Sequence, residues 1–274
     1  MAELFWFVLS KDRPLQLDAL LRSLQRMGAS APCVVLYKTS NDRFRSAYAS
    51  VFQRHQNLEL QAVAEQSFQS DVFNIVRSNL YERVAFLVDD QVFINPVNLR
   101  QVTSLDPKLA TYSFRLGKRI THSQPLGNVP TGQPPFLTLD GLPSEWLAWH
   151  WAKGGGDWCA ANSLDGNVLS REMVLQAFEH PLAARINGPQ TLEMSLHGSG
   201  LVTRIGMCSY EPQLINLALN RVSAEPYLYP HGTANADELL AAWESNMQMS
   251  LDTVRELPAQ SCHIICDLPL ERRF

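Results

Sequence analysis

Apolar runs and helical repeats alternate along the first third of the chain. The run LFWFVLS at 4–10 is apolar up to its final serine, which is typical of a buried strand. Leucines then recur at helical spacing behind Pro14, a residue suited to the first turn of a helix. Further strands are predicted at 33–37, 58–64 and 84–88, with helical periodicity between them.

Strands that alternate with helices pair in parallel, with helices on both faces of the sheet. The sequence therefore predicts an α/β fold with a mostly parallel central sheet. Polar residues follow three of the strands, at Ser10–Arg13, Thr39–Asp42 and Asp89–Gln91. Ligands bind at the carboxyl ends of the strands in open α/β sheets, so we expect these residues to line one crevice.

The regular alternation stops near residue 105, where segments rich in proline and glycine interrupt shorter strands. We predict one domain over 1–274, in which 106–274 extends the half formed by 1–105 and carries loops over the crevice. The extension is predicted to contain a strand at Leu201–Met207 and a helix at about Asp237–Val254.

Composition and charge narrow the class of protein. The contents of 46% hydrophobic and 18% charged residues are ordinary for a globular protein. A formal net charge of -4 offers no basic footprint, so we expect no nucleic-acid partner. The first apolar run is too short for a signal peptide or a membrane span and has no basic segment ahead of it. We therefore expect no transmembrane segment and a cytoplasmic protein.

The five cysteines are scattered and show no paired CxxC spacing of the kind found in zinc sites. The segment CHIIC at 262–266 comes closest to a ligand cluster. We interpret it as buried thiols in a strand, because free cysteine packs as a small apolar residue.

Two adjacent carboxylates, Asp89 and Asp90, end the apolar strand at 84–88. Buried carboxylates are costly unless a cation from inside or outside the protein meets them. One interpretation is diphosphate binding through Mg²⁺ or Mn²⁺, which takes one or two protein carboxylates together with phosphates and water. The structural alternative is that one aspartate caps a helix while the other pairs with Arg83 or Arg100.

The segments SKDRP, after the first strand, and LVDDQVF, at the end of the fourth, resemble GT-A fold glycosyltransferases, of a family-2-like or exostosin-like kind. Such enzymes carry an Asp-x-Asp type motif at that place. The resemblance covers roughly residues 4–220 and implies a Rossmann-like sheet, with a nucleotide-sugar-binding half at 1–105 and an acceptor-binding half at 106–274. It also implies a nucleotide-sugar donor, a saccharide or other hydroxyl acceptor, and Mn²⁺ or Mg²⁺ as a cofactor.

The resemblance further implies which residues bind the donor and the metal. Asp89 would contact the ribose or the donor sugar. Gln91 stands where related enzymes place a metal-binding acid, so either Asp90 takes over coordination or the diphosphate is held with little or no metal. The implied metal ligands are Asp90, Gln91 and His231, and the implied donor contacts are Ser10, Lys11, Asp12, Arg13, Asn74, Arg77, Asp89, Asp90 and Gln91. A cap for Asp12 and surface charges for the basic residues are the alternatives.

The acceptor side is expected in the second half. Trp151 and Trp158 are candidate acceptor contacts because indole faces pack well on sugars, although a hydrophobic cluster would use the same residues. An inverting transfer needs a base that deprotonates the acceptor hydroxyl. Glu193 is the first candidate for this base, near the start of a predicted helix, and Asp165 is the second. Their alternatives are a helix-terminal charge and a turn aspartate.

We therefore predict a glycosyltransferase, with inversion favoured through Glu193. Nucleotidyl transfer is one alternative, although the SKDRP loop lacks the glycines that such enzymes usually have there. The other is a non-catalytic saccharide- or nucleotide-binding module derived from the same fold, which Gln91 in place of a metal-binding acid favours.

Overall fold

A computed structural model of the protein describes residues 4–197, 200, 204–222 and 232–273. The strands are β1 (Leu4–Lys11), β2 (Cys33–Lys38), β3 (Leu60–Ala64), β4 (Arg83–Val88), β5 (Gln91–Phe93), β6 (Ala110–Ser113), β7 (His122–Ser123), β8 (Val129–Pro130), β9 (Trp146–His150), β10 (Asn167–Ser170), β11 (Ile205–Ser209), β12 (Leu214–Leu217), β13 (Met247–Met249), β14 (His263–Ile264) and β15 (Leu270–Arg272). The α-helices are α1 (Pro14–Arg26), α2 (Asp42–Arg54), α3 (Phe68–Ser78), α4 (Leu99–Thr103), α5 (Arg171–Ala177), α6 (Pro189–His197), α7 (Ala236–Glu244) and α8 (Leu251–Arg255).

Eight strands form the central sheet, in the order β3-β2-β1-β4-β10-β6-β11-β9. Strands β1, β2, β3, β4, β6 and β11 run in one direction, and β9 and β10 run against them. The predicted fold class is confirmed: the protein is α/β, with a mostly parallel central sheet flanked by helices. None of the described helices is long and apolar enough to cross a membrane.

Helices cover the two faces of the sheet because side chains alternate along its buried strands. In β1, Leu4, Trp6 and Val8 pack in one core with α1 and α2, whereas Phe5 and Phe7 pack in the other core with α3, α5 and α6. The apolar run at the start of the sequence therefore supplies side chains to each core. This explains why that run lacks the alternation of a half-exposed strand.

A second, three-stranded sheet has the order β14-β12-β5 and packs against α1. Strand β12 runs antiparallel to β5 and parallel to β14. In this register Asn216 lies opposite Gln91 on one side and opposite His263 on the other. The small sheet thus joins the chain just after Asp90 to a segment near the end of the sequence.

The prediction of a single helix at about Asp237–Val254 is wrong. The structure has α7, then the short strand β13, then α8, and β13 pairs with β15. Asn246 adopts a left-handed backbone conformation with φ 59°, which ends the helical path before β13. The predicted strand at Leu201–Met207 is observed as β11 from Ile205, and residues 201–203 lie outside the described part of the chain.

Asp18 joins α1 to α2 through a buried ionic cluster. Its carboxylate pairs with Arg22 at 2.8 Å, Arg54 at 3.1 Å and His55 at 3.0 Å. Burial would raise the pKa of Asp18, but the hydrogen bond from His55 and the two arginine charges outweigh it and lower the pKa below its ordinary value. The ionised carboxylate therefore stabilises the contact between the two helices.

We expect Asp18→Asn to lower the free energy of unfolding by about 3 kcal/mol at neutral pH, since it removes the buried negative charge that Arg22, Arg54 and His55 surround. Because the folded pKa is depressed, this stabilisation is present above the ordinary pKa of 3.8 and is lost as pH falls through the lower folded value. Urea denaturation of the wild type and the variant at neutral and acidic pH measures the difference.

Asp42→Asn is the matched control, because the Asp42 side chain is 87% exposed in its pair with Arg45 whereas that of Asp18 is 0% exposed. The control should lose less than about 1 kcal/mol. Equal losses for the two variants would show that the buried cluster contributes nothing particular to stability.

Candidate functional site

The end of β1 and the turn after β4 meet at the carboxyl edge of the sheet. Asp89 is buried there, and its carboxylate accepts hydrogen bonds from the Ser10 hydroxyl, the Lys11 backbone N–H and the Arg13 guanidinium, each at 2.9 Å. Tyr48 of α2 contacts the Ser10 hydroxyl at 2.5 Å and accepts from the Arg13 backbone N–H at 3.1 Å. The structure thus brings together the first loop and the paired acids.

Arg13 is the cation that neutralises the paired acids. Its Nη1 donates to Asp89 Oδ1 at 2.9 Å and to Asp90 Oδ2 at 3.0 Å. Its Nε and Nη2 donate to the side chain and the backbone carbonyl of Asn220 at 3.0 and 2.5 Å. Burial would lower the pKa of Arg13, but the two carboxylates raise it further above its ordinary value. The guanidinium therefore remains charged, and all three of its nitrogens are engaged.

Gln91 is a structural residue in this arrangement, which corrects its predicted role as a metal ligand. The side chain is fully buried; its Oε1 accepts from the Val88 backbone N–H at 3.0 Å, and its Nε2 donates to Asn216 Oδ1 at 3.1 Å. The amide therefore closes the turn that contains Asp89 and Asp90. An acid at this position would lose the donor that Asn216 requires.

The side chains around Asp90 do not fit a preformed site for Mn²⁺ or Mg²⁺. Asp90 is already paired with Arg13, and Gln91 points its amide to internal partners. Among the described residues there is no group of three or more His, Cys, Asp or Glu side chains that could hold a metal ion. His231, the third predicted ligand, lies outside the described part of the chain.

Asp12 and Lys11 tie neighbouring loops to the first strand. Asp12 has a left-handed backbone conformation with φ 51° and accepts from the Ser40 backbone N–H at 2.8 Å and hydroxyl at 2.5 Å. The Lys11 ammonium donates to the carbonyl of Val222 at 3.2 Å. These loops therefore meet at one edge, as the positions after the strands predict.

Two of the predicted donor contacts lie on α3, away from the carboxyl edge that holds Asp89. Asn74 and Arg77 are exposed on α3. The carbonyl of Arg77 accepts from Arg171 Nη2 at 2.7 Å, and the Arg171 backbone N–H donates to Glu82, next to the start of β4. Since α3 leads into β4, its last turn lies at the amino end of that strand. The structure does not bring Arg77 to the edge that holds Asp89.

A second cluster of charges surrounds Asp165 in the turn before β10. Its Oδ2 lies 3.6 Å from Arg115 Nη1 and 3.3 Å from His263 Nε2. Arg115 is buried just after β6 and also pairs with Asp157 at 3.3 Å. Burial would raise the pKa of Asp165, but His263 and Arg115 hold it below its ordinary value. Asp165 is therefore an anion that lies between the Arg115 guanidinium and the His263 imidazole.

The turn at Asp165 requires the glycine that follows it. Gly166 adopts φ 75°, a left-handed conformation that disfavours other residues, and a Cβ there would collide with the Leu214 side chain. Gly166 also donates its N–H to the Phe86 carbonyl of β4 at 2.9 Å. This close approach holds the Asp165 turn against the strand that ends in Asp89.

Glu193 lies in the middle of α6, whereas the sequence predicted it near the start of a helix. Its Oε1 accepts from the Leu164 backbone N–H at 2.8 Å, and its backbone carbonyl accepts from Asn162 at 2.8 Å. Burial and the nearby charge of Asp165 raise the pKa of Glu193 to about 7. Helix α6 thus holds a carboxyl group, that of Glu193, which loses its proton near neutral pH. The nearby Asp165 is already ionised at that pH.

Asn216 connects the two clusters. Its Nδ2 lies 3.5 Å from Asp90 Oδ1, and a hydrogen bond from it contributes to the low pKa of Asp165. Burial raises the pKa of Asp90 to about 6, Arg13 opposes this rise, and the charges of Asp89 and Asp165 add to it. The acids at the end of β4 and those near α6 therefore belong to one electrostatic network.

Sequence reasoning missed the buried polar members of this network. Arg115, Asn216 and Asn220 lie in or beside apolar stretches, and a lone polar residue in such a stretch was the available signal in the sequence. The structure buries all three almost fully. His263 lies in the segment that we interpreted as buried thiols. Cys262 is indeed fully buried, but His263 turns toward Asp165.

The structure places Trp151 and Trp158 inside the protein, which corrects their predicted role as acceptor contacts. Each is 0% exposed, and their indole N–H groups donate to Thr111 and to the carbonyl of Ile120. Trp149 stacks edge-on against the two of them. The hydrophobic-cluster alternative describes these side chains, and neither offers a face to a sugar.

Comparisons with solved structures give low similarity. A nucleotidyl transferase from Methanothermobacter thermautotroptrophicus is 12% identical, with 76% of this chain and 88% of that chain covered and a TM-score of 0.38. A UDP-glucose pyrophosphorylase complexed with UDP-glucose is 11% identical, with coverages of 75% and 90% and a TM-score of 0.37. A mannosyltransferase from Pyrobaculum calidifontis in complex with GDP-Man and Mn²⁺ is 14% identical, with coverages of 73% and 69% and a TM-score of 0.36.

No family model matches the sequence, and neither does any curated protein. The structural similarities are too low to transfer an activity to this chain. The side chains at the carboxyl edge of the sheet are therefore the basis for inferring a function.

Arg13→Lys should destabilise the protein by about 3 kcal/mol, because a lysine cannot reproduce the planar set of donors that holds Asp89, Asp90 and Asn220. Urea denaturation at neutral pH measures this loss. Arg45→Lys is the control, since the Arg45 side chain is 69% exposed in its pair with Asp42. A variant at position 13 as stable as the control would mean that charge alone, without the guanidinium geometry, holds the acids.

Proposed function

We propose that the protein is a glycosyltransferase that moves a sugar from a nucleotide-diphosphate donor to a hydroxyl acceptor. The observation that carries the proposal is the placement of Glu193. This carboxyl group, with a pKa of about 7, lies beside ionised Asp165 in the network that reaches Asp90 at the carboxyl edge of the sheet. A base adjacent to the ligand-binding edge of an α/β sheet is suited to transfer chemistry.

Glu193 has the properties of a general base for an acceptor hydroxyl. A base is most effective when its pKa lies near the working pH, and burial beside Asp165 brings Glu193 to that value. In the proposed reaction the acceptor oxygen forms a bond to the anomeric carbon, and its proton passes to the Glu193 carboxylate. The bond from the anomeric carbon to the diphosphate breaks, and its electron pair leaves with the diphosphate. A single displacement of this kind inverts the anomeric centre.

The donor side of the proposal lies around the first loop. Lys11, Arg13 and Asp12 lie where the loops after β1 and β2 meet, and Asp89 fixes the loop by accepting three hydrogen bonds. Asp89 and Gln91 act here by positioning their neighbours, whereas Lys11 keeps an ammonium that pairs with no carboxylate in the described part of the chain. A diphosphate brought to this edge would meet the positive charge of Lys11.

A second candidate function is a non-catalytic module that binds a nucleotide or a saccharide. The pairing of Arg13 with the two acids favours it, because those carboxylates are satisfied inside the protein. Such a module would bind the same ligands without turnover. Variants of Glu193 distinguish the two functions, since only the catalyst requires this carboxylate to be a base.

Nucleotide binding is the first test of the donor side. We expect one of UDP, GDP or CDP, or a sugar derivative of one of them, to raise the thermal midpoint of the purified protein, since a ligand that binds only the folded state stabilises it. Because the side chains at Asp90 do not fit a preformed metal site, we expect the rise to persist in EDTA. Each ligand is measured with Mn²⁺, with Mg²⁺ and with EDTA.

A rise that vanishes in EDTA would contradict the second expectation and assign a divalent cation to Asp90. No rise with any nucleotide or nucleotide sugar would contradict the proposed function, and the acids at the end of β4 would then be structural. The proposed transfer is measured separately, as release of nucleoside diphosphate from the donor that binds.

Glu193→Gln should lower the rate of sugar transfer by about 100-fold or more while donor binding is retained, because the amide cannot accept the acceptor proton. In the wild type the rate should rise with pH through about 7, where Glu193 loses its own proton and becomes a base. Initial rates across this pH range check the two expectations.

Glu172→Gln is the matched control, because Glu172 is exposed on α5. Its rate and its pH profile should equal those of the wild type. A Glu193 variant that keeps full turnover would remove the assigned base, and donor binding without turnover in the wild type would favour the binding module.

A further inference from the structure

His263 has a position that the proposed function does not yet use. It opens β14, and the small sheet sets it in one row with Asn216 and Gln91. Residues directly opposite one another on neighbouring strands project to the same face of a sheet. The hydrogen bond from Gln91 to Asn216 shows that this face carries the side chains of the site. The imidazole is therefore brought to the network of acids by the strand pairing itself.

The two ring nitrogens of His263 differ in their contacts. His263 Nε2 lies 3.3 Å from Asp165 Oδ2. No hydrogen bond involves Nδ1 within the described part of the chain, and the side chain is 31% exposed. Asp165 is fixed in turn by Arg115, so the imidazole is oriented by a carboxylate that cannot move freely. One ring nitrogen is thus left for a ligand that enters the crevice.

The setting of His263 favours its protonated form. Burial alone would lower the pKa of His263, but the carboxylate of Asp165 outweighs it and raises the pKa above its ordinary value. Arg115 opposes the rise, and Asp157 adds to it. Arg13 and Arg115 are less accessible to a ligand than His263. Their side chains are 11% and 3% exposed, and each is paired with two carboxylates.

Because the described acids do not form a metal site, the positive charge that a bound diphosphate requires would have to come from side chains. A donor diphosphate carries negative charge into a crevice that already holds Asp90 and Asp165, so it needs positive charge in addition to that of Lys11. The described side chains at Asp90 do not form a metal site. We propose that His263, oriented by Asp165, is a direct contact for the diphosphate of the donor and stabilises the charge that develops on it as the sugar leaves. This inference rests on the proposed function and adds a residue to it.

The contact is tested by the binding of inorganic pyrophosphate in EDTA, measured by isothermal titration calorimetry. Replacing the imidazolium by a neutral amide in His263→Gln should weaken binding about tenfold, because a hydrogen bond from a charged donor is lost. His263→Lys should restore most of the affinity, since it returns a positive charge. A residue with only a structural role would not be rescued in this way.

His150→Gln is the control, because His150 is exposed at the end of β9. Its affinity for pyrophosphate should equal that of the wild type. Thermal midpoints of all the variants show whether any of them has lost its fold.

Each outcome of the pyrophosphate titrations supports or overturns the proposed contact. Weaker binding in His263→Gln with rescue by His263→Lys supports the contact. Unchanged affinity in His263→Gln overturns it, and the proposed function survives if the wild type still turns over a nucleotide sugar. Equal losses in the glutamine and lysine variants assign a structural role and overturn it also. A wild type that binds neither pyrophosphate nor any nucleoside diphosphate overturns this inference together with the proposed function.

Discussion

Buried Asp89 and half-buried Asp90 can lie side by side after β4 because Arg13 lies between them. The guanidinium offers donors in a fixed plane, so one nitrogen reaches Asp89 and Asp90 while the others hold Asn220. Removing that cation would leave charge in the protein interior, which costs several kcal/mol. The first loop, the turn after β4 and the segment at Asn220 are therefore fixed relative to one another by one side chain.

The carboxylates farther along the crevice are arranged by a different principle. Asp165 lies between Arg115 and His263, which hold its pKa below the ordinary value, whereas burial and neighbouring acids raise the pKa values of Glu193 and Asp90. Neighbouring acids with pKa values pushed apart are suited to different tasks, one as a fixed anion and one as a proton acceptor. The network holds more acids than internal cations, so part of its negative charge is left for protons to neutralise.

Sequence reasoning succeeded where short-range patterns determine the outcome. Apolar periodicity located the first four strands, and parallel pairing predicted that the residues after β1 and β4 would meet, as the contacts of Asp89 with Ser10 and Lys11 show. It failed where a side chain has two stable environments. Gln91 turns inward because Asn216, far along the chain, offers it an acceptor. The indoles of Trp151 and Trp158 suit a core or a sugar equally well, and only the packing of the second half decides between them.

The register of the small sheet has a consequence for the order in which the protein forms. Strands β1–β4 and the pairing of Arg13 with the two acids involve residues from the first third of the sequence. The row that aligns Gln91 also needs Asn216 and His263, and the last of these is contributed by β14. During synthesis, Arg13, Asp89 and Asp90 therefore leave the ribosome well before His263, the residue that completes the row. Until then the row of Gln91, Asn216 and His263 is incomplete.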